Sequence, residues 1–278
     1  MPTTLRMRAG VLVVVVATQA ALAGCDTPAS TPPPRTPADG PTAQARTPAQ
    51  HPSTTASASA VPAPKPDAAA AKSIVVIGAS VSGGYKASPD ASWPSELAHR
   101  LQQDGRPDQV VNASIGATRL LTDNGPTMPS ALTREDRDAL AVPGAGTIVL
   151  TDVINDIQQT PHQYDPAAII AGLRSFVAKA HAKDVKVIGT TIPPYGGFGR
   201  YETAGELCRR TVNDAIRQGQ LFDGVIDFDA ALRDPTDPTR IRPDYDSGDH
   251  LHPNDAGHHA MARTIDPDLF TLLASSPS

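Results

Sequence analysis

Ser73-Ile74-Val75-Val76-Ile77-Gly78-Ala79-Ser80 is where the chain first reads as folded core. Ile74 to Ile77 are four consecutive β-branched residues with no polar residue among them. A strand with one wet face alternates apolar and polar side chains. A continuous run is expected of a parallel strand covered on both faces. Further strands are predicted at Gln109–Asn112, Thr147–Thr151, Val185–Gly189 and Val225–Phe228. Helices are predicted between them. One starts at Trp93, with Pro94 in its first turn, and runs to about Gln103. The second spans Pro129 to Ala141, and the third starts at the cap Asp165-Pro166 with apolar Ile169, Ile170, Leu173, Phe176 and Val177. The last two run from about Thr203 to Gln218 and from Asn254 to Thr264. This alternation predicts an α/β domain over 73–278, a parallel sheet between layers of helices. Ligands of such sheets bind beyond the carboxyl ends of the strands.

Upstream of Ser73 the composition is different. Arg6 and Arg8 precede an apolar run from Val11 to Ala23, broken by Gln19, which reads as an export leader too short to span a bilayer. Its end, Leu22-Ala23-Gly24-Cys25, is similar to a bacterial lipobox, which implies cleavage before Cys25 and lipidation of its sulfur. Residues 26–72 hold eleven of the 28 prolines and no aromatic residue. Such a segment buries too little apolar surface to offset chain entropy, so it is expected to be a disordered linker spanning about 40 Å. The expected location is extracytoplasmic, on the bacterial membrane through a lipid on Cys25, with a monomeric domain held clear of the surface.

A net charge of −5 and 4% aromatic content give no reason to expect nucleic acid as a partner. With Cys25 assigned to the leader, Cys208 has no partner for a disulfide and is expected to be a small buried apolar group.

The chemistry gathers where strands are expected to end. Ser80 follows the first strand and a glycine, a place where a hydroxyl can stand above the sheet edge. In Asp249-His250-Leu251-His252-Pro253-Asn254, an aspartate lies three residues before a histidine on a turn. A histidine acting as a base needs such an acceptor to fix its tautomer and stabilise its cation. Asn155 offers an amide donor after the third strand, suited to a developing oxyanion. Gly78-Ala79-Ser80-Val81-Ser82 lacks the second glycine of a Gly-x-Ser-x-Gly elbow. His250, His252, His258 and His259 do not show metal-ligand spacing, so no metal or other cofactor is expected. The Pro193–Gly199 loop leaves the fourth strand at the same edge and is expected to border a pocket.

Together these blocks resemble the GDSL or SGNH hydrolases, over Ile74 to about Ile265. Supporting matches are Gly84-Tyr85, Trp93-Pro94, Val111-Asn112-Ala113-Ser114 and His252-Pro253-Asn254. The resemblance implies a flavodoxin-like three-layer α/β/α sandwich with five parallel strands. It implies ester hydrolysis through an acyl-enzyme, with Ser80 as nucleophile and Asp249 and His252 as orienter and base. The oxyanion donors it implies are Ser80, Gly116 or Ala117, and Asn155. The substrate would be a small or polymer-borne ester: lipid, acyl or carbohydrate. Three positions depart from the family pattern. Ala79 replaces an aspartate, Ala117 a glycine and Val153 a glycine. Loss of the carboxylate at 79 is expected to loosen the serine loop. The alternative reading is a cell-surface glycan- or lipid-binding module that keeps the cleft without turnover.

Overall fold

The structure, a computed structural model, describes residues 72–275. The leader, Cys25 and all of the linker except Lys72 lie outside the described residues. Five parallel strands form one sheet in the order β2-β1-β3-β4-β5. They are β1 Ser73–Ile77, β2 Gln109–Asn112, β3 Ala145–Leu150, β4 Lys186–Thr190 and β5 Gly224–Ile226. This is the flavodoxin order, which reverses direction between β1 and β3.

The apolar run of β1 divides between two cores. Val75 and Ile77 face a layer with Ile148, Leu150 and Val187, covered by α4 (Pro166–His181) and α5 (Thr203–Arg217). Ile74 and Val76 face the opposite layer with Val149, Ile188 and Ile226. That side is covered by α1 (Trp93–Gln103), α6 (Phe228–Leu232), α7 (Asp255–Thr264) and α8 (Asp268–Ser275). Successive strand residues point to opposite faces, so a strand buried twice has no polar position to spare.

The helix starts follow local chemistry. Ser92, Asp165 and Asn254 each accept a backbone N–H of the following first turn. The helix expected over 129–141 is shorter, with α2 at Ala131–Glu135 passing into a π-helical turn at Asp136–Leu140. The last strand also stops earlier than expected. Asp227 accepts the Ala230 N–H and caps α6, so Phe228 opens a helix instead of closing a strand. Cys208 is buried in α5, and burial pushes its thiol up to about 11.

Candidate functional site

The carboxyl edge of the sheet gathers one loop from each strand end. Ser80 follows β1, Gly116 and Ala117 follow β2, and Asn155 sits in the first turn of α3 (Ile154–Gln158), four residues beyond Thr151. Phe198 and Arg200 come from the loop after β4, and Leu251 and His252 from the segment before α7. They border one open cleft of about 330 Å³.

Ser80 Oγ lies 2.9 Å from His252 Nε2, and His252 Nδ1 lies 2.8 Å from Asp249 Oδ2. With Nδ1–H given to the carboxylate, Nε2 is the acceptor for the Ser80 hydroxyl. The other oxygen of Asp249 accepts the N–H groups of Leu251 (3.0 Å) and His252 (2.8 Å). Burial pushes the Asp249 carboxyl up, but these N–H groups and the His252 ring outweigh it, so it stays ionised below its ordinary range. The turn is anchored from behind. Asn254 Nδ2 donates to Asp244 O and Asp246 O, and its Oδ1 takes the Gly257 N–H at 3.0 Å. A Cβ at Gly257 would come within 2.6 Å of Pro253 Cβ, so only glycine lets α7 begin this close to the turn. Tyr85 stands nearly perpendicular to the His252 ring, 4.7 Å between centroids.

Four donor groups belong to residues that line this cleft. Among the described residues, no acceptor takes the N–H of Ser80, Gly116 or Ala117. Asn155 Nδ2 gives one hydrogen to Thr118 O at 2.8 Å, which leaves its second free. Gln158 Nε2 donates to Asn155 Oδ1 at 2.8 Å, so the network fixes which end of the Asn155 amide is the donor. Ala117 has φ +62, the left-handed region a glycine takes freely, so the chain keeps the glycine's backbone shape at a cost in strain. Asn124 Nδ2 and Gln159 Nε2 both donate to its carbonyl at 3.2 Å.

The serine loop is not loose. Asp152 Oδ2 accepts from Ala79 N and Ser82 N, and Asn112 Nδ2 donates to Ser82 O at 2.8 Å. Trp93 Nε1 donates to the buried Ser82 hydroxyl at 3.2 Å, which gives Ser82 a structural partner instead of a place in the cleft. Arg134 donates to Gly78 O (2.8 Å) and Ala113 O (2.5 Å), tying the loops after β1 and β2 together. Asp152, Arg134 and Gln158 were not legible as site residues. Their only sequence signal is polarity at positions where the fold buries them.

The histidines go to separate partners: His250 to Asp246, His259 to Glu96, and His258 to the Trp93 N–H. Among the described residues, no three His, Cys, Asp or Glu side chains are grouped to hold a metal ion. No described helix is long and apolar enough to cross a membrane.

A flavodoxin-ordered α/β/α domain with a Ser–His–Asp constellation at the carboxyl edge of its sheet defines a class of hydrolase scaffold. The chain belongs to the GDSL-like Lipase/Acylhydrolase family, whose model matches residues 76–260, more than half of its length. Among solved structures it is similar to TesA, at 20% identity and TM-score 0.56, covering 73% of this chain and 99% of that one. It is similar to a GDSL-like lipase from Bacteroides thetaiotaomicron at 17% identity and TM-score 0.56, covering 72% and 89%. A third, Est24, a carbohydrate acetylesterase from Sinorhizobium meliloti, has 15% identity and TM-score 0.57, covering 72% and 99%. At these identities the likeness is one of fold. Comparison with curated proteins gives no match.

Proposed function

We propose that the protein is a serine esterase that hydrolyses carboxylic esters through an acyl-enzyme. Ser80 Oγ attacks the ester carbonyl carbon while His252 Nε2 takes its proton. Asp249 holds the imidazole and stabilises its cation. The negative charge formed on the carbonyl oxygen meets the N–H groups of Ser80 and of Gly116 or Ala117, and the Asn155 amide. One such donor is worth about 3 kcal/mol in the barrier. Collapse expels the alcohol, which receives the proton from His252. Water then gives a proton to the same histidine as it attacks the acyl carbon; the bond from that carbon to Ser80 Oγ breaks, Oγ takes the proton back from His252, and the acid leaves.

The observation that carries this reading is the unbroken hydrogen-bonded line Ser80–His252–Asp249, at 2.9 and 2.8 Å, beside backbone N–H groups that have no acceptor among the described residues. The reading includes no metal or cofactor, and a monomer attached outside the cytoplasm through a lipid on Cys25, for which the support is sequence alone. The test is hydrolysis of a short-chain 4-nitrophenyl ester. Ser80→Ala should reduce turnover by about 10⁴-fold or more with an unchanged unfolding temperature. A wild-type protein that binds the ester and never turns it over would instead be a binding module.

A further inference from the structure

Arg200 lies in the loop between β4 and α5 and stands in the wall of the cleft with Gln158 and Phe198. It is exposed, and its Nη1 donates to Gln158 Oε1 at 3.2 Å. Gln158 is buried and is itself held by Asn155 Oδ1, so one edge of the guanidinium is fixed and the rest of its fork is unspent. Among the described residues, Arg200 has no ion-pair partner. The acid nearest in sequence, Glu202, is turned to His162 Nε2 at 3.9 Å. The Asp249 carboxylate is committed to the far side of His252. The cleft therefore holds a fixed positive charge and no carboxylate in its lining.

An unpaired guanidinium beside a reaction centre is suited to a planar anion, which it binds through two parallel N–H donors. A single cation with part of its fork already used balances a monoanion better than a dianionic phosphate. Resting on the esterase reading above, we infer that Arg200 and Gln158 form a subsite for a carboxylate carried by the ester. The preferred substrate is then an acidic ester, not a neutral lipid.

The experiment compares matched esters with and without a carboxylate. Mono-4-nitrophenyl succinate against 4-nitrophenyl butyrate probes the acyl side, and 3-acetoxybenzoate against phenyl acetate probes the alcohol side. In wild type, kcat/KM should favour the acidic member of at least one pair by about tenfold, and Arg200→Gln should bring that ratio to about one. The preference should also shrink at 1 M salt, because the cation is exposed and its field is screened within about 3 Å there. No preference in either pair, or a preference that survives Arg200→Gln, overturns the subsite. Calorimetric binding of the same esters to Ser80→Ala, with and without Arg200→Gln, gives the same comparison without turnover. If wild type hydrolyses none of them, the esterase reading fails and the binding ratio alone decides the subsite.

Discussion

Asp152 Oδ2 accepts the backbone N–H of Ala79 at 2.6 Å, across the gap between the ends of β1 and β3. The same oxygen takes the Ser82 N–H at 2.9 Å, so one buried carboxylate grips both shoulders of the serine turn and leaves the Ser80 N–H between them open. Position 79 is where the family pattern has its own aspartate. The loosening expected from its loss does not occur, because a neighbouring strand end supplies the carboxylate. Burial pushes the Asp152 carboxyl up, against the pull of the N–H groups it accepts.

Asp152→Ala would leave two N–H groups buried without acceptors, each costing about 1–3 kcal/mol. Misplacement of a reacting group by about 1 Å can cost 100-fold, so kcat should fall by that order while KM moves little. Ala79→Asp should not repair anything. It would set a second carboxylate beside a buried one, and its stability loss should be larger at pH 7 than near pH 4, where a proton is more readily shared. Denaturant unfolding at the two pH values checks this, and a more active Ala79→Asp would contradict it.

Ala117→Gly should stabilise the fold. A Cβ in the left-handed region costs about 1–2 kcal/mol, and glycine gives back about 0.5–1 kcal/mol in unfolded-chain entropy. The net gain of about 0.5–1 kcal/mol should raise the unfolding temperature by about 2 °C for a domain of this size. An unchanged or lower temperature would show that the Ala117 backbone is not strained.

Two buried groups should make stability depend on pH with opposite signs. Glu135 is fully buried with neither carboxyl oxygen hydrogen-bonded among the described residues, and burial pushes it up to about 7, with Lys179 opposing. A folded-state value above the unfolded one means that stability is full below about 4.5 and is lost as pH rises to about 7. His258 is fully buried and neutral, pushed down to about 4 by burial. Its contribution is full above 6.5 and is lost as pH falls toward about 4. Each shift corresponds to about 3 kcal/mol, so the two nearly cancel over the shared window. Glu135→Gln should unmask a steep loss of stability on acidification, measured by unfolding midpoints between pH 4 and 7. A variant whose profile parallels wild type would contradict the assignment to Glu135.

Cys25→Ser should move the protein from the membrane fraction to the soluble fraction in a bacterial host. Retention in the membrane fraction would overturn the lipid anchor.

What the sequence shows and what it hides follow from distance along the chain. Ile74–Ile77 announces a twice-buried strand by itself, and Asp249–His252 announces an acid–base pair because both members share one turn. The helices α3 and α6 are five residues long, too short for a 3.6-residue period to register. Asp152 is an ordinary strand-end aspartate until the fold brings it to Ala79, 73 residues away. Arg134 reaches Gly78 across 56 residues and reads in sequence only as a helix arginine. Arg200 reads in sequence as a loop arginine until the fold sets it beside Gln158, 42 residues away.

The separations within the Ser80–His252–Asp249 line are very unequal. Asp249 and His252 are three residues apart and can find each other as soon as their turn forms, whereas Ser80 and His252 are 172 residues apart. Loops that long close late, after the local elements exist. In a refolding experiment the sheet signal should therefore recover before activity does. The lag would time the moment when the segment carrying α7 closes over the first strand.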